Sequence, residues 1–191
     1  CKKALVEADG DMDKAVDFLR ERGLAAAAKK ATRIAAEGVV LPYYDAEAKK
    51  GVVVEVNSET DFVAKNEKFM SFVEGVAKTI LATNPADVEA LKEEKFDGTD
   101  RTVTETLNDL VLSIGENMKV RRFERMDGIV STYIHGGGSV GVMVGFDVAD
   151  ESKAATAEFD AMGKNVAMQI AAMSPAYPVS YTHLTLPTIL R

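Results

Sequence analysis

The spacing of apolar residues changes several times along this chain, and each change predicts a different element. Apolar positions recur every three or four residues over residues 66–81, 102–114 and 154–173, which is the period of an amphipathic helix. β-Branched runs at residues 38–41 and 51–56 flank a polar stretch and predict a β-hairpin. The pattern therefore indicates a chain that mixes helices and strands.

Three further apolar runs predict strands at residues 118–123, 129–134 and 140–146. An Asp-Gly pair and a run of three glycines separate them, so we expect these strands to form an antiparallel meander. The predicted fold class is α+β, with a three-stranded antiparallel sheet packed against helices. No internal repeat is evident from the pattern.

The first part of the chain is predicted to be helical. A short helix is expected over residues 2–8, and Asp11 is expected to cap a second helix that ends at Gly23. Alanine-rich residues 25–36 favour a helical linker. The predicted division is an incomplete helical module at 1–23 whose first helix lies upstream, a linker at 24–37 and a core domain at 38–177.

Composition and charge narrow the function classes. The net charge of −7 and the pI of about 5.0 argue against a dedicated nucleic-acid binder, which usually carries a basic face. The single cysteine, Cys1, excludes a disulfide framework within the chain, so reduced cytoplasm is the expected compartment. No apolar run approaches the roughly 18 residues of a membrane span. We therefore expect neither nucleic acid nor membrane as a partner.

Residues 56–66 carry the most specific motif, VNSETDFVAKN. This segment resembles the signature of the elongation factor Ts family, whose core pattern is Thr-Asp-Phe-Val-Ala-Lys. Four further segments resemble the family in the same order, at residues 1–15, 114–122, 133–142 and 165–171. One such motif is weak evidence, but five in order identify the chain as a member of the family, truncated at both ends.

The resemblance implies a partner and an activity. Members of the family bind elongation factor Tu and speed its loss of GDP, so we expect an exchange factor that is not an enzyme and needs no cofactor. The family's N-terminal module resembles a ubiquitin-associated fold and touches the partner's nucleotide-binding domain. Its Asp-Phe pair pushes into that domain near the magnesium and phosphate site. Carried over by motif, the expected partner-binding residues are Thr60, Asp61, Phe62, Val63, Ile114, Gly115, His135 and Lys2.

Each of these residues also has a plain structural interpretation. Phe62 could be a core residue of the following helix, because aromatic side chains are usually buried. Asp61 could be a helix N-cap. His135 could be a turn residue before the glycines, Gly115 only the end of a helix, and Lys2 only a solvated helix position.

Two other functions stay open at this point. One is a passive ubiquitin-associated-type adaptor built on the N-terminal helices. The other is a small enzyme that uses His135 with a carboxylate, although no nucleophile or metal constellation accompanies that histidine. The Thr60-Asp61-Phe62 segment discriminates, since an exchange factor predicts an exposed Phe62 and an adaptor has no use for it.

The end of the chain resembles no part of the family. Residues 179–188 read VSYTHLTLPT, and one of the DNA sequences that can encode this segment resembles a transposon-type DNA-library adapter. We therefore expect residues 178–191 to be a non-native tail and exclude them from the fold prediction.

Overall fold

The computed structural model describes residues 2–175 together with residues 180–181, 184–185 and 188–190. Helices and strands are mixed along this part of the chain, which confirms the predicted α+β class. In chain order the elements are α1 (Lys2–Glu7), α2 (Met12–Lys30), β1 (Glu37–Asp45), β2 (Lys50–Ser58), a 3-10 turn (Val63–Lys65), α3 (Glu67–Thr83), α4 (Val88–Glu93), α5 (Val103–Ile114), β3 (Met118–Asp127), β4 (Ile129–His135), β5 (Val140–Phe146), α6 (Glu151–Ala154), α7 (Ala157–Met173), β6 (Ser180–Tyr181), β7 (Leu184–Thr185) and β8 (Thr188–Leu190).

The strands form two main antiparallel sheets rather than the meander that the sequence predicts. One has the order β1-β2-β3 and the other has the order β4-β5-β8. The predicted β1–β2 hairpin is confirmed, but β3 pairs along the whole length of β2 and not with β4. The meander prediction was wrong because β2 has a second free edge, which β3 occupies after the intervening helices. Gly128, at φ 107°, then separates β3 from β4, which opens the second sheet.

The first sheet is covered on both faces. Val52, Val54 and Val56 of β2 point into the main core with α3, α4 and α5. Val53 points the other way, into a smaller cluster with Val130 of β4 and Met143 of β5. Strand β2 is consequently buried from Gly51 to Ser58, which explains why Val52, Val53 and Val54 follow one another without a polar residue between them.

The second sheet continues the layering. Val142 and Val144 of β5 pack with Ala167 of α7 on the face away from the first sheet. The described domain is thus built from four layers, in the order α3–α5, first sheet, second sheet, α7. The predicted last helix differs in one respect: α6 ends at Ala154, and Thr156 caps the separate helix α7 through a 3.2 Å bond to the Phe159 amide.

The N-terminal helices depart from prediction at one point. Asp11 caps α2 as predicted, accepting bonds from the amides of Asp13 and Lys14. The helix does not end at Gly23 but continues to Lys30. A Cβ on Gly23 would lie 3.6 Å from the Asp109 carboxylate of α5, so this glycine lies where the two helices pack closely. The predicted domain boundaries at residues 23, 37 and 177 stay predictions.

Residues 38–85 recur at residues 128–175 at a constant offset of 90 positions and without a gap. The β1–β2 hairpin closes at Asp45 and Lys50, and the β4–β5 hairpin closes at His135 and Val140. Helices α3 and α7 each have 17 residues. Their N-caps are Asn66 and Thr156, and their left-handed C-caps are Asn84 and Ser174. Thirteen of the 48 aligned residues are identical, so the chain does contain an internal repeat that the sequence analysis missed.

Half of the proposed non-native tail lies outside the described residues, including His183. Only its three short strands are described, and β8 pairs with β5 between Gly141 and Met143. Its origin in an adapter stays a prediction. None of the helices in the described part of the chain combines the length and apolar content that crossing a membrane would require.

Candidate partner-binding site

Phe62 lies on a turn between the end of β2 and the 3-10 turn, and it is 78% exposed. The next residue, Val63, is buried in the main core. The inward valine anchors the backbone while the phenylalanine ring stays in solvent. The interpretation of Phe62 as a core residue is therefore wrong, and its exposure agrees with the exchange-factor prediction.

A carboxylate from a distant segment holds this turn. Glu116 accepts a bond from the Thr60 amide at 3.0 Å and another from the Thr60 hydroxyl at 2.7 Å. Thr60 in turn accepts, through its carbonyl, a 2.9 Å bond from the Ser58 hydroxyl. The two segments that resemble family signatures, at residues 56–66 and 114–122, are thus joined directly. We call the Thr60–Glu116 contact the clamp.

A second set of bonds lies beside the clamp. In this set the accepting carboxylate belongs to residues 56–66 and the donating amide belongs to residues 114–122. The Glu59 carboxylate accepts from the Asn117 amide and forms a 3.5 Å ion pair with Arg33. The Asn117 side chain donates to the Arg33 carbonyl at 2.8 Å. This ties the strand that leads into the turn to the chain just before β1. Glu59 and Glu116 therefore cross-link the same two segments from both sides.

Asp61 is exposed and caps no helix. The N-cap of α3 is Asn66, which accepts from the Lys68 amide at 2.9 Å, so the cap interpretation of Asp61 was wrong. In the described part of the chain the Asp61 carboxylate forms no hydrogen bond or ion pair. It is a free anion next to an exposed aromatic ring.

Ile114 and Gly115 end helix α5. Gly115 has φ 93° in the left-handed region, where a residue without Cβ is favoured, and its amide bonds to the Val111 carbonyl. Ile114 is partly buried against the main core. The left-handed glycine redirects the chain, so that Glu116 follows at once and reaches Thr60.

His135 and Lys2 do not take part in the clamp. His135 is exposed at the end of β4, with its ring 3.1 Å from the Tyr133 hydroxyl. The following glycine turn packs on the start of β1, where the Val40 amide donates to the Gly138 carbonyl at 2.7 Å. This turn therefore lies at the end of the first sheet from which residues 59–62 emerge. Lys2 is exposed on α1, which packs against α2.

Arg121 and Arg122 have a partner that the sequence does not predict. Both donate to the buried carboxylate of Glu55, at 2.8 and 2.7 Å. Neighbouring strand residues normally point to opposite faces, but a bulge at Arg121 opposite Glu55 and Val56 brings both guanidinium groups to one side. Burial by itself would raise the pKa of Glu55, but hydrogen bonds from Arg121, Arg122 and Asn57 outweigh it, so the pKa lies below its ordinary value.

Sequence reasoning missed both carboxylates, Glu116 and Glu55. Glu116 lies in the Ile-Gly-Glu-Asn motif, directly after the expected contact residues Ile114 and Gly115. Its place in that motif could have identified it. Among the described residues, no group of three acidic, histidine or cysteine side chains is arranged to hold a metal ion.

An exposed aromatic ring and an exposed carboxylate lie side by side on this tethered turn, and exposed aromatic side chains are typical of surfaces that bind other proteins. The family model described as elongation factor TS matches residues 59–185. The chain is 53% identical over 180 residues to the elongation factor Ts of Clostridium perfringens strain SM101, covering 93% of this chain and 58% of that relative. Identity is 52% to the elongation factor Ts of Syntrophotalea carbinolica and 49% to that of Clostridium kluyveri, with the same coverage. The chain belongs to the elongation factor Ts family and spans 58% of the length of these curated relatives.

Proposed function

We propose that this chain binds GDP-bound elongation factor Tu in the cytoplasm and promotes release of the nucleotide. Membership of the family supports the partner, and the exposure of Phe62 on its anchored turn is the observation that carries the proposal. The proposed contacts are Thr60, Asp61 and Phe62, with Ile114, Gly115, His135 and Lys2 further out. Val63 was also expected to be a contact, but it is buried in the main core and supports the turn from within. No covalent chemistry is involved, so the proposed protein is not an enzyme.

The mechanism follows from differential burial. Inserting an exposed phenylalanine into an apolar site contributes about 1.5–3 kcal/mol. If that site is open only in a conformation of elongation factor Tu that holds GDP weakly, binding shifts the partner toward this conformation. The coupling is reciprocal, so GDP must weaken binding of this chain by the same factor.

Asp61 adds an electrostatic component. Its carboxylate is unpaired in the described part of the chain and lies next to Phe62. An anion brought near a bound magnesium ion and phosphates would repel the phosphates or compete for the metal. Asp61 and Phe62 together would therefore weaken nucleotide binding by two independent physical effects.

The test is release of a fluorescent GDP analogue from elongation factor Tu, with and without the chain. We expect Phe62→Ala to reduce the acceleration by about tenfold or more, since each 1.4 kcal/mol of lost binding corresponds to a factor of about ten. Met173→Ala is the matched control, because Met173 is also a large apolar residue and is 72% exposed. An acceleration that survives Phe62→Ala would reject Phe62 as the inserted residue.

The passive adaptor remains the competing function, and the same assay separates it. An adaptor would bind a partner through its N-terminal helices without accelerating release, and Phe62→Ala would leave its affinity unchanged. Binding of elongation factor Tu that leaves the GDP release rate unaltered would therefore contradict the proposed exchange activity.

A further inference from the structure

We propose that Glu116 is a positioning residue that fixes the turn carrying Phe62 and so presents its ring to the partner. The inference rests on the proposed function for the identity of that partner. The geometry of the turn, by contrast, is a property of this chain alone and does not depend on the proposed function. The two hydrogen bonds that Glu116 accepts come from Thr60, so it acts on Phe62 through the backbone.

The clamp has the features of a rigid support. One carboxylate receives two bonds from the same residue, at 3.0 and 2.7 Å, and both are charge-assisted. Glu116 and Thr60 are both partly buried, which limits competition from water. The bonds join positions 56 residues apart, so local sequence preferences alone cannot replace them.

Phe62 needs such support because little of its side chain is covered by the rest of the chain. It is 78% exposed, and the turn before it belongs to no helix or strand. Val63 fixes the C-terminal side of the turn by burial, and the clamp fixes the N-terminal side. A turn held in its binding conformation loses less entropy on association, which raises affinity.

The internal repeat provides a comparison within the same chain. At the offset of 90, Thr60 corresponds to Asp150 and Phe62 corresponds to Ser152. Asp150 accepts from the amide and the hydroxyl of Ser152, at 3.1 and 2.7 Å, which is a local cap. The long-range contact of this turn is instead a 2.6 Å ion pair between two exposed side chains, Glu151 and Lys49. At the position of Thr60, the repeat that carries the exposed ring therefore has partly buried bonds to a distant carboxylate, and the repeat without the ring has a local cap.

The first test measures the mobility of position 62 directly. The chain contains no tryptophan, so Phe62→Trp introduces a single indole probe whose fluorescence anisotropy decay reports motion of the turn. We expect Glu116→Ala to increase the fast component of that decay at least twofold. Glu74→Ala, which removes an exposed carboxylate on α3, should leave it unchanged.

Two variants of Thr60 guard against loss of folding in Glu116→Ala. Thr60→Val keeps the shape and removes the hydroxyl bond, so it should also increase the mobility of the indole probe. Thr60→Ser restores the hydroxyl and should restore the slow decay. If the probe has the same mobility in folded Glu116→Ala and Thr60→Val as in the parent, the clamp does not position this turn and the proposal is overturned.

The second test is a double-mutant cycle on GDP release from elongation factor Tu. We expect Glu116→Ala to reduce the acceleration by about tenfold alone and to have no further effect in a Phe62→Ala background, because its role is exerted through that ring. Independent, multiplicative losses would show that Glu116 acts elsewhere and would overturn the inference. A wild-type chain that gives no acceleration would instead contradict the proposed function, while the anisotropy measurement still decides the role of the clamp.

Discussion

Phe62 and Phe69 lie on either side of the Asn66 cap and have opposite surroundings. Phe69 is fully buried, whereas Phe62 is 78% exposed. Asn66 starts helix α3, so Phe69 falls on its apolar stripe together with Phe72, Val73 and Val76. Phe62 precedes the cap and is outside that periodicity. An aromatic side chain left outside the stripe, on a turn that two carboxylates hold in place, is the residue with the clearest potential for recognition.

At the same scale, Glu55 gives a pH-dependent prediction. Its pKa is lower in the folded than in the unfolded chain, so its ionised form stabilises the fold above the unfolded-state pKa, and this contribution is lost as pH falls through the folded-state pKa. We expect Glu55→Gln to lower the free energy of unfolding by about 1.5–3 kcal/mol near neutral pH, the range for hydrogen bonds to charged groups. Urea denaturation of the wild type and of Glu55→Gln measures this difference in the free energy of unfolding.

The pH dependence provides the decisive part of that measurement. Protonated glutamate resembles glutamine, so the difference between wild type and Glu55→Gln should shrink as pH falls below about 4.3. Glu124→Gln is the control, since Glu124 lies exposed on β3 and should change stability little at any pH. A difference that stays constant through the acid range would contradict the assigned ion pairs.

Among the elements, helix α5 shows how a local motif sets a boundary. Thr102 accepts from the Glu105 amide at 3.1 Å, and Glu105 accepts from the Thr102 amide at 3.0 Å, forming a capping box. We expect Thr102→Ala to reduce the free energy of unfolding by about 0.5–2 kcal/mol. Thr102→Ser keeps the hydroxyl and should be nearly neutral. Equal losses in both variants by thermal denaturation would show that the cap bond is not the cause.

Helices α5 and α2 also show where sequence prediction of elements succeeds and fails. The prediction for α5 was correct because its cap, its apolar stripe and its terminal glycine all lie within the helix or next to it. The prediction that α2 ends at Gly23 was wrong, because the helix packs against α5 at that point and continues to Lys30. A glycine stops a helix only where the surroundings do not favour its continuation.

At the scale of the whole molecule, the repeat uses different side-chain volumes in its two copies. Leu41 and Val73 of the first copy both lie in the main core. The corresponding residues of the second copy are Ser131 and Gly163, and a Cβ on Gly163 would lie 2.8 Å from the Ser131 Cβ. Two small residues in place of two large ones allow α7 to pack directly against β4.

This close packing predicts the effect of a single methyl group. We expect Gly163→Ala to lower the free energy of unfolding by about 1–3 kcal/mol through overpacking, even though alanine favours the helix itself. Asn165→Ala, at an exposed position on the same helix, should change it by about 0.5 kcal/mol or less. A stabilising Gly163→Ala in urea denaturation would mean that α7 can move away from the sheet without loss.

The repeat could have been found from the sequence. Comparison of the chain with itself at an offset of 90 aligns the glycines at 38 and 128 and at 51 and 141, the phenylalanines at 69 and 159, and the prolines at 85 and 175. The repeat was missed because the most distinctive motif of the first copy, Thr60-Asp61-Phe62, has no counterpart in the second copy. Recognising it would also have corrected the meander, since β4 starts a second copy rather than extending the first sheet.

The sequence by itself determined the helices α3 and α5, the β1–β2 hairpin, the mixed class and the family, because periodicity, caps, turns and motifs depend on residues that are close in the chain. Only the tertiary structure decided that β3 pairs with β2, that α2 continues through Gly23, that Glu116 reaches Thr60 and that Phe62 is left in solvent. These outcomes depend on which distant surfaces meet. Burial and long-range hydrogen bonds are properties of the packed chain, and a local pattern does not contain them.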